Sequence, residues 1–162
     1  MVGKIRAALD ARHASETLVI ARTDAVAVEG FEKAIARAVA YRDAGADILF
    51  VEAPKTRAEL RRIPQALSGV PLMANMVEGG KTPLLGAADL ESLGFSLVIF
   101  PGGIVRALAR TASEFYASLA AHGSSELFRE RMYDFAALND VIGTPQLIAL
   151  GKQYEAARTN DK

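Results

Sequence analysis

The sequence predicts an α/β protein made of four consecutive βα units followed by a helical segment without strands. Three observations predict it. Four short aliphatic runs, "TLVIA" (17–21), "DILFV" (47–51), "VPLMA" (70–74) and "SLVIF" (96–100), start about 23 to 30 residues apart, a spacing that suits βα units with short loops. Each run is continuously apolar rather than alternating, which is how strands buried on both faces of a parallel sheet read. Each is followed by a polar loop and then by apolar residues at helical spacing.

The elements follow in order. The opening stretch "MVGKIRAALDARHA" alternates charged and apolar residues as a surface helix does, and lacks the uninterrupted apolar core of a signal peptide. After the first run, Phe31, Ala34, Ile35, Ala38 and Val39 mark a helix that ends in "AGA", with Gly45 placed as its cap. Thr56 and Glu59 form a capping-box pattern at the head of the next helix, which Pro64 is expected to kink or end. The third run leads into "NMVEGGKTP" (75–83). After the fourth, Val105, Leu108, Ala112, Phe115 and Leu119 mark a longer helix. From His122-Gly123 the pattern changes, and 124–158 reads as two or three helices, the last opening at Thr144-Pro145. The expected division is therefore 1–123 for the βα units and 124–162 for a helical extension.

Composition narrows the function. The chain has 162 residues, 51% hydrophobic and 23% charged, the balance of a folded globular protein. Nineteen Lys and Arg against nineteen Asp and Glu leave no long-range field for nucleic acid or an anionic membrane, so an anionic ligand must be held by a few placed cations. No window has the roughly 18 apolar residues of a membrane span, and the expected location is cytoplasmic. The absence of cysteine excludes thiolate metal sites and a cysteine nucleophile within the chain.

Four βα units make a small doubly wound sheet or half of a (β/α)₈ barrel, and in both folds ligands sit beyond the C-terminal ends of the strands. Those ends carry Arg22-Thr23-Asp24, Glu52, Asn75 with Glu78, and Pro101-Gly102-Gly103 before Arg106. Each has a plainer reading: Arg22 pairing with Asp24 or Glu52, Glu52 as a helix cap, Asn75 as a turn residue. Gly102-Gly103 suits an anion cradle at a helix start or a tight turn. Gly79-Gly80-Lys81-Thr82 suggests a phosphate loop, but that motif needs a Gly seven residues before its Thr, where this chain has Asn75. His13 and His122 read as surface residues. The four polar strand ends together form a stronger pattern than any one of them.

The motifs "VIARTDA", "GADILFVEAP", "PLMANMVEGGKTP" and "LVIFPGGIVRALA" resemble the second half of the isocitrate lyase and phosphoenolpyruvate mutase superfamily. The likeness is to the branch of methylisocitrate lyases, dimethylmalate lyases and carboxyphosphonoenolpyruvate phosphonomutases, and it runs over essentially the whole chain. It implies a (β/α)₈ barrel whose fifth to eighth strands are the four runs here. It also implies Mg²⁺, a small di- or tricarboxylate substrate bearing a 2-hydroxy or 2-oxo group, and a homotetramer in which the C-terminal helices are exchanged between subunits.

The resemblance implies roles residue by residue. Arg22 grips a substrate carboxylate, Glu52 faces the substrate and the metal's hydration shell, and Asn75, Met76 and Val77 meet a distal carboxylate. Arg106 is a second carboxylate-binding arginine, and Thr82 and Pro83 start the next helix. The family's Mg²⁺-binding aspartates and its lid, with the cysteine acid/base in "K-[KR]-C-G-H", precede the region that matches this chain. No catalytic or metal-ligating residue is therefore assigned here, and the chain is expected to supply the substrate-gripping part of a carbon–carbon lyase. Phosphonate mutase or oxaloacetate decarboxylase chemistry, and a non-catalytic half-barrel, are the other readings. An arginine of the methylisocitrate lyases falls on Phe135, which favours a smaller or less anionic substrate.

Overall fold

A computed structural model of the chain describes residues 1–159. Four strands, β1 (Ile20–Thr23), β2 (Ile48–Val51), β3 (Leu72–Asn75) and β4 (Leu97–Ile99), form one sheet in the order β1-β2-β3-β4. All neighbours run parallel. Helices α1 (Val2–Asp10), α2 (Ala25–Glu29), α3 (Phe31–Asp43), α4 (Arg57–Ala66), α5 (Ala87–Leu93) and α6 (Gly103–His122) accompany them. A 3-10 helix (Glu126–Arg131), α7 (Phe135–Val141) and α8 (Thr144–Thr159) follow. No helix among the described residues is long and apolar enough to cross a membrane. The chain divides into two units, Met1–Arg106 and Ala107–Lys162, the division falling inside α6.

In the first unit one face of the sheet carries the core. Ala21, Leu49, Val51, Leu72 and Ala74 point from it into a cluster with Phe31, Ala34 and Ala38 of α3, Leu60 and Ile63 of α4, and Leu90 of α5. The other face bears Ile20, Arg22, Phe50, Met73 and Leu97, which alternate with the first set and lie outside that cluster. Ile20 and Leu97, on the two outer strands, are exposed. Phe50 and Met73, on the two inner strands, are buried, so this face is open at its outer strands and not across its width, where parallel sheets are ordinarily covered on both faces.

Local chemistry explains the helix ends. α3 stops because Gly45, at φ +99°, lets Ala46 N–H reach the Tyr41 carbonyl at 3.2 Å, closing the last turn as a left-handed cap does. Thr56 Oγ1 accepts from Glu59 N–H at 3.1 Å, and the Glu59 carboxylate accepts from Lys55 N–H, one residue before the cap, so a shifted form of the capping box closes the helix start. Pro64 lies inside α4, which runs on to Ala66. Its missing N–H falls in the last turn, where one absent bond ends the helix rather than kinking it. Two boundaries differ from expectation. β1 starts at Ile20 and not Thr17, because Val19 N–H is taken by the Asp47 carboxylate at 2.7 Å. α5 starts at Ala87 and not at Thr82-Pro83. Leu85 is buried and donates its N–H to Met76 Sδ at 3.4 Å, so residues 82–86 are held as an extended cover before the helix begins.

In the second unit Phe115 of α6 packs edge-on against Phe128 at 5.4 Å, and Arg131 lies over the Phe128 ring while pairing with Glu114. Asp134 caps α7 by accepting from Ala137 N–H at 2.8 Å. α8 opens at Thr144. Phe135, Ile142 and Leu147 are exposed.

Candidate functional site

The ladder between strands fixes where the polar residues emerge. Pairing of β1 with β2 sets Arg22 beside Phe50, and its guanidinium packs over that ring at 4.9 Å. One residue past β2, Glu52 N–H still donates to the Thr23 carbonyl at 2.9 Å, so the backbone holds Glu52 next to the end of β1. Past β3, Met76 N–H donates to the Ile99 carbonyl at 2.9 Å, which aligns Asn75 with the end of β4.

Three side chains from adjacent strands meet in this frame. Arg22 Nη2 lies 3.4 Å from Glu52 Oε2, and Asn75 Nδ2 donates to Glu52 Oε2 at 3.3 Å. Arg22 also forks onto Asp24, with Nε 3.0 Å from Oδ2 and Nη2 2.7 Å from Oδ1. The Asp24 hydrogen bond, ahead of the Coulombic pull of Glu52, raises the Arg22 pKa against burial. The same bond holds the Asp24 carboxyl below its usual range. The Asn75 amide nitrogen faces Glu52, and its Oδ1 is buried with no hydrogen-bond partner among the described residues. A buried acceptor without a partner costs on the order of 1–3 kcal/mol, so this oxygen is poised for a donor.

Glu52 and Asn75 open onto a cavity of about 200 Å³, walled also by Ala53, Val77, Gly80, Lys81 and Thr82. Ala53 has φ +58° and is the one non-glycine residue with positive φ among those described. That conformation costs an ordinary residue about 1–2 kcal/mol, and it turns the chain sharply after Glu52 into buried Pro54. Met76 is fully buried, with its N–H spent on Ile99, so its side chain packs beneath the cavity rather than lining it. Val77 lines the wall.

Arg106 stands apart from the trio. It donates to the Glu78 carbonyl and lies 3.7 Å from the Glu78 carboxylate. That carboxylate fills the space beside Gly103, where a Cβ would come within 3.0 Å of Oε1. The Gly102-Gly103 start of α6 is thus occupied by the protein's own acidic side chain.

Sequence reasoning assigned no role to Ala53, Lys81 or Glu78. Ala53 carries no signal, since it is neither Gly nor Asn, and the Glu78–Arg106 contact spans 28 residues. Lys81 was legible only as part of "GGKT".

The resemblance implies Mg²⁺. No group of three His, Cys, Asp or Glu side chains able to hold a metal ion occurs among the described residues, and Asp24 and Glu52 are both turned to Arg22. These residues do not fit a magnesium cage of their own.

Comparison with known proteins gives a consistent result. The family model described as phosphoenolpyruvate phosphomutase matches residues 1–120. The chain is 37% identical to the 2,3-dimethylmalate lyase of Eubacterium barkeri over 158 residues, covering 98% of this chain and 54% of that one. It is 43% identical to the 2-methylisocitrate lyase of Salmonella typhimurium over 126 residues, covering 78% and 42%. A crystal structure of 2,3-dimethylmalate lyase superposes with a TM-score of 0.85 at 37% identity, covering 94% of this chain and 54% of that chain. The chain spans about half the length of the curated relatives it matches. Its parallel four-stranded sheet matches about half of a chain of the (β/α)₈-barrel superfamily that the motifs implied.

Proposed function

The chain belongs to the phosphoenolpyruvate phosphomutase family, and from that premise we propose that it forms the substrate-gripping half of a carbon–carbon lyase. The substrate class is a 2-hydroxy or 2-oxo di- or tricarboxylate of the 2-methylisocitrate or dimethylmalate type. One observation carries the reading: Arg22, Glu52 and Asn75, from three adjacent strands, are joined at the open end of the sheet. Identities of 37% and 43% to a dimethylmalate lyase and a methylisocitrate lyase support C–C over P–C chemistry.

In such a cleavage the bond beside the carbinol carbon breaks. The hydroxyl loses its proton as the carbinol becomes a carbonyl, and the bonding pair passes to the carbon next to a second carboxylate, which then takes up a proton. The residues of this chain bind and orient. Arg22 carries a planar fork that a substrate carboxylate takes in place of Asp24, a geometry that an ammonium cannot reproduce. Glu52 holds Arg22 and Asn75 in register. Asn75 offers an oxygen, and because a carboxylate has no hydrogen to give it, the ligand group placed there is a hydroxyl. Proton transfer and metal binding fall to groups outside this half. The exposed Phe135, Ile142 and Leu147 support a homo-oligomer built through the helical segment.

The test joins residues 1–162 to the N-terminal part of the Eubacterium barkeri enzyme. Release of a 2-oxo acid from 2,3-dimethylmalate or 2-methylisocitrate is followed with Mg²⁺ present. The chimera is expected to be active, its Arg22→Met variant to be silent, and 1–162 alone to be inactive. Cleavage by the chimera that is indifferent to Arg22, or Mg²⁺-dependent cleavage by 1–162 alone, refutes the assignment.

A further inference from the structure

We propose that Lys81 is a ligand-binding residue of this site: its ammonium takes an anionic group of a hydroxy acid whose hydroxyl donates to Asn75 Oδ1. The proposal rests on the functional reading above and goes beyond it, because that reading uses neither Lys81 nor the "GGKT" turn.

Three observations carry it. The first is a charge imbalance. The guanidinium of Arg22 is met by two carboxylates, Asp24 at 2.7 Å and Glu52 at 3.4 Å. Taken alone, this cluster carries one net negative charge and repels an anion. Lys81 lines the same cavity as Glu52 and Asn75 and forms no ion pair among the described residues, so it is the cation there whose charge is not already spent.

The second is the way the chain delivers Lys81 to the cavity. Gly79 has φ +71°, a conformation open to glycine at little cost. Gly80 N–H donates to the Val77 carbonyl at 2.9 Å, and a Cβ on Gly80 would come within 2.9 Å of that same oxygen and 3.3 Å of Val77 Cβ. The two glycines are required for different reasons, one for backbone conformation and one for space. Together they fold residues 77–80 into a tight turn against the cavity wall, which brings Lys81 to its rim.

The third is Asn75, which lines the same cavity and whose Oδ1 is buried with no hydrogen-bond partner among the described residues. A ligand that satisfies both residues carries an anionic group and a hydroxyl a few atoms apart. The volume of about 200 Å³ falls below the range of roughly 300–1,000 Å³ that holds drug-sized molecules, and matches a small acid.

The experiment measures binding of malate, and of succinate, which lacks the hydroxyl, to the 1–162 chain by calorimetry, with thermal unfolding of every variant. Lys81→Met is expected to weaken malate binding by about ten- to a hundredfold, the range for one charge-assisted hydrogen bond. Its melting temperature is expected to stay unchanged, because Lys81 is exposed and forms no ion pair among the described residues. Lys81→Arg is expected to hold affinity within a few-fold, and wild type to prefer malate to succinate by about five- to tenfold. If wild type binds malate and Lys81→Met binds it equally well, the inference falls and the functional reading stands. A loss as large in Lys81→Arg as in Lys81→Met assigns the effect to shape rather than charge and also overturns the inference. Failure of wild type to bind either acid also overturns the inference, and the functional reading then stands or falls by the activity of the chimera.

Discussion

Replacing Arg22 with Lys separates a carboxylate grip from a structural ion pair, because the structure sets different magnitudes for the two. On the structural side, Arg22 and Asp24 have side chains 48% and 62% exposed, and exposed pairs contribute about 0–1 kcal/mol. Stacking on Phe50 adds about 0.5–1 kcal/mol, and Lys retains part of both. The loss of stability is thus about 1 kcal/mol, or about 2–4 °C in melting temperature for a chain of this size. On the ligand side, an ammonium keeps the charge but loses the two-point fork. One charge-assisted hydrogen bond is worth about 1.5–3 kcal/mol, or a ten- to hundredfold loss in affinity. Malate titration and thermal unfolding on the same preparation read both quantities. A drop of more than about 8 °C with unchanged affinity would refute the reasoning and return Arg22 to a purely structural role.

Four further outcomes follow from the structure. Asp24 occupies the Arg22 fork, so Asp24→Asn is expected to tighten malate binding by a few-fold; weaker binding would show that Asp24 orients Arg22 instead of competing for it. Because the folded-state pKa of Asp24 is depressed, its contribution to stability is present above the unfolded value of about 3.9 and lost as pH falls through the folded one. Urea unfolding from pH 5 down to pH 2 should therefore fall less steeply in Asp24→Asn, and identical slopes would contradict the pairing. Ala53→Gly relieves about 1–2 kcal/mol of left-handed strain against about 0.4–1 kcal/mol of added unfolded-chain freedom. Stability is expected to rise slightly while malate binding weakens as Glu52 loses its fixed approach, and the reverse pattern would count against a positioning role for Ala53. Finally, the outer strands, with Ile20 and Leu97 exposed on one sheet face, are expected to drive association of 1–162, and a clean monomer in sedimentation would show that the half-barrel is self-sufficient.

The residues that sequence reasoning found and those it missed differ in a physical way. Arg22, Glu52 and Asn75 stood out because each directly follows or closes a continuous apolar run, and a buried parallel strand has only its ends available for polar groups. Their joining into one cluster then follows from strand order alone, since β1, β2 and β3 are neighbours in sequence and in the sheet. What was not legible depends on contacts that no local pattern encodes. The start of β1 is moved by Asp47, 28 residues away, and Arg106 is drawn to Glu78 across the same separation. Ala53 is hidden for a different reason. The residue before a proline is steered away from the right-handed helical region, but that steering favours extended backbone, and the left-handed turn is imposed by the packing of Pro54 and by the Glu52–Thr23 ladder bond. The "GGKT" turn lies between these cases. Its glycines announce a close backbone approach, which occurs, but to the protein's own Val77 carbonyl and not to a phosphate. The motif therefore reports reliably on local geometry. The ligand chemistry comes from what shares the wall with Lys81, namely an amide oxygen without a donor and an arginine whose charge is already balanced, and both of those facts required the fold.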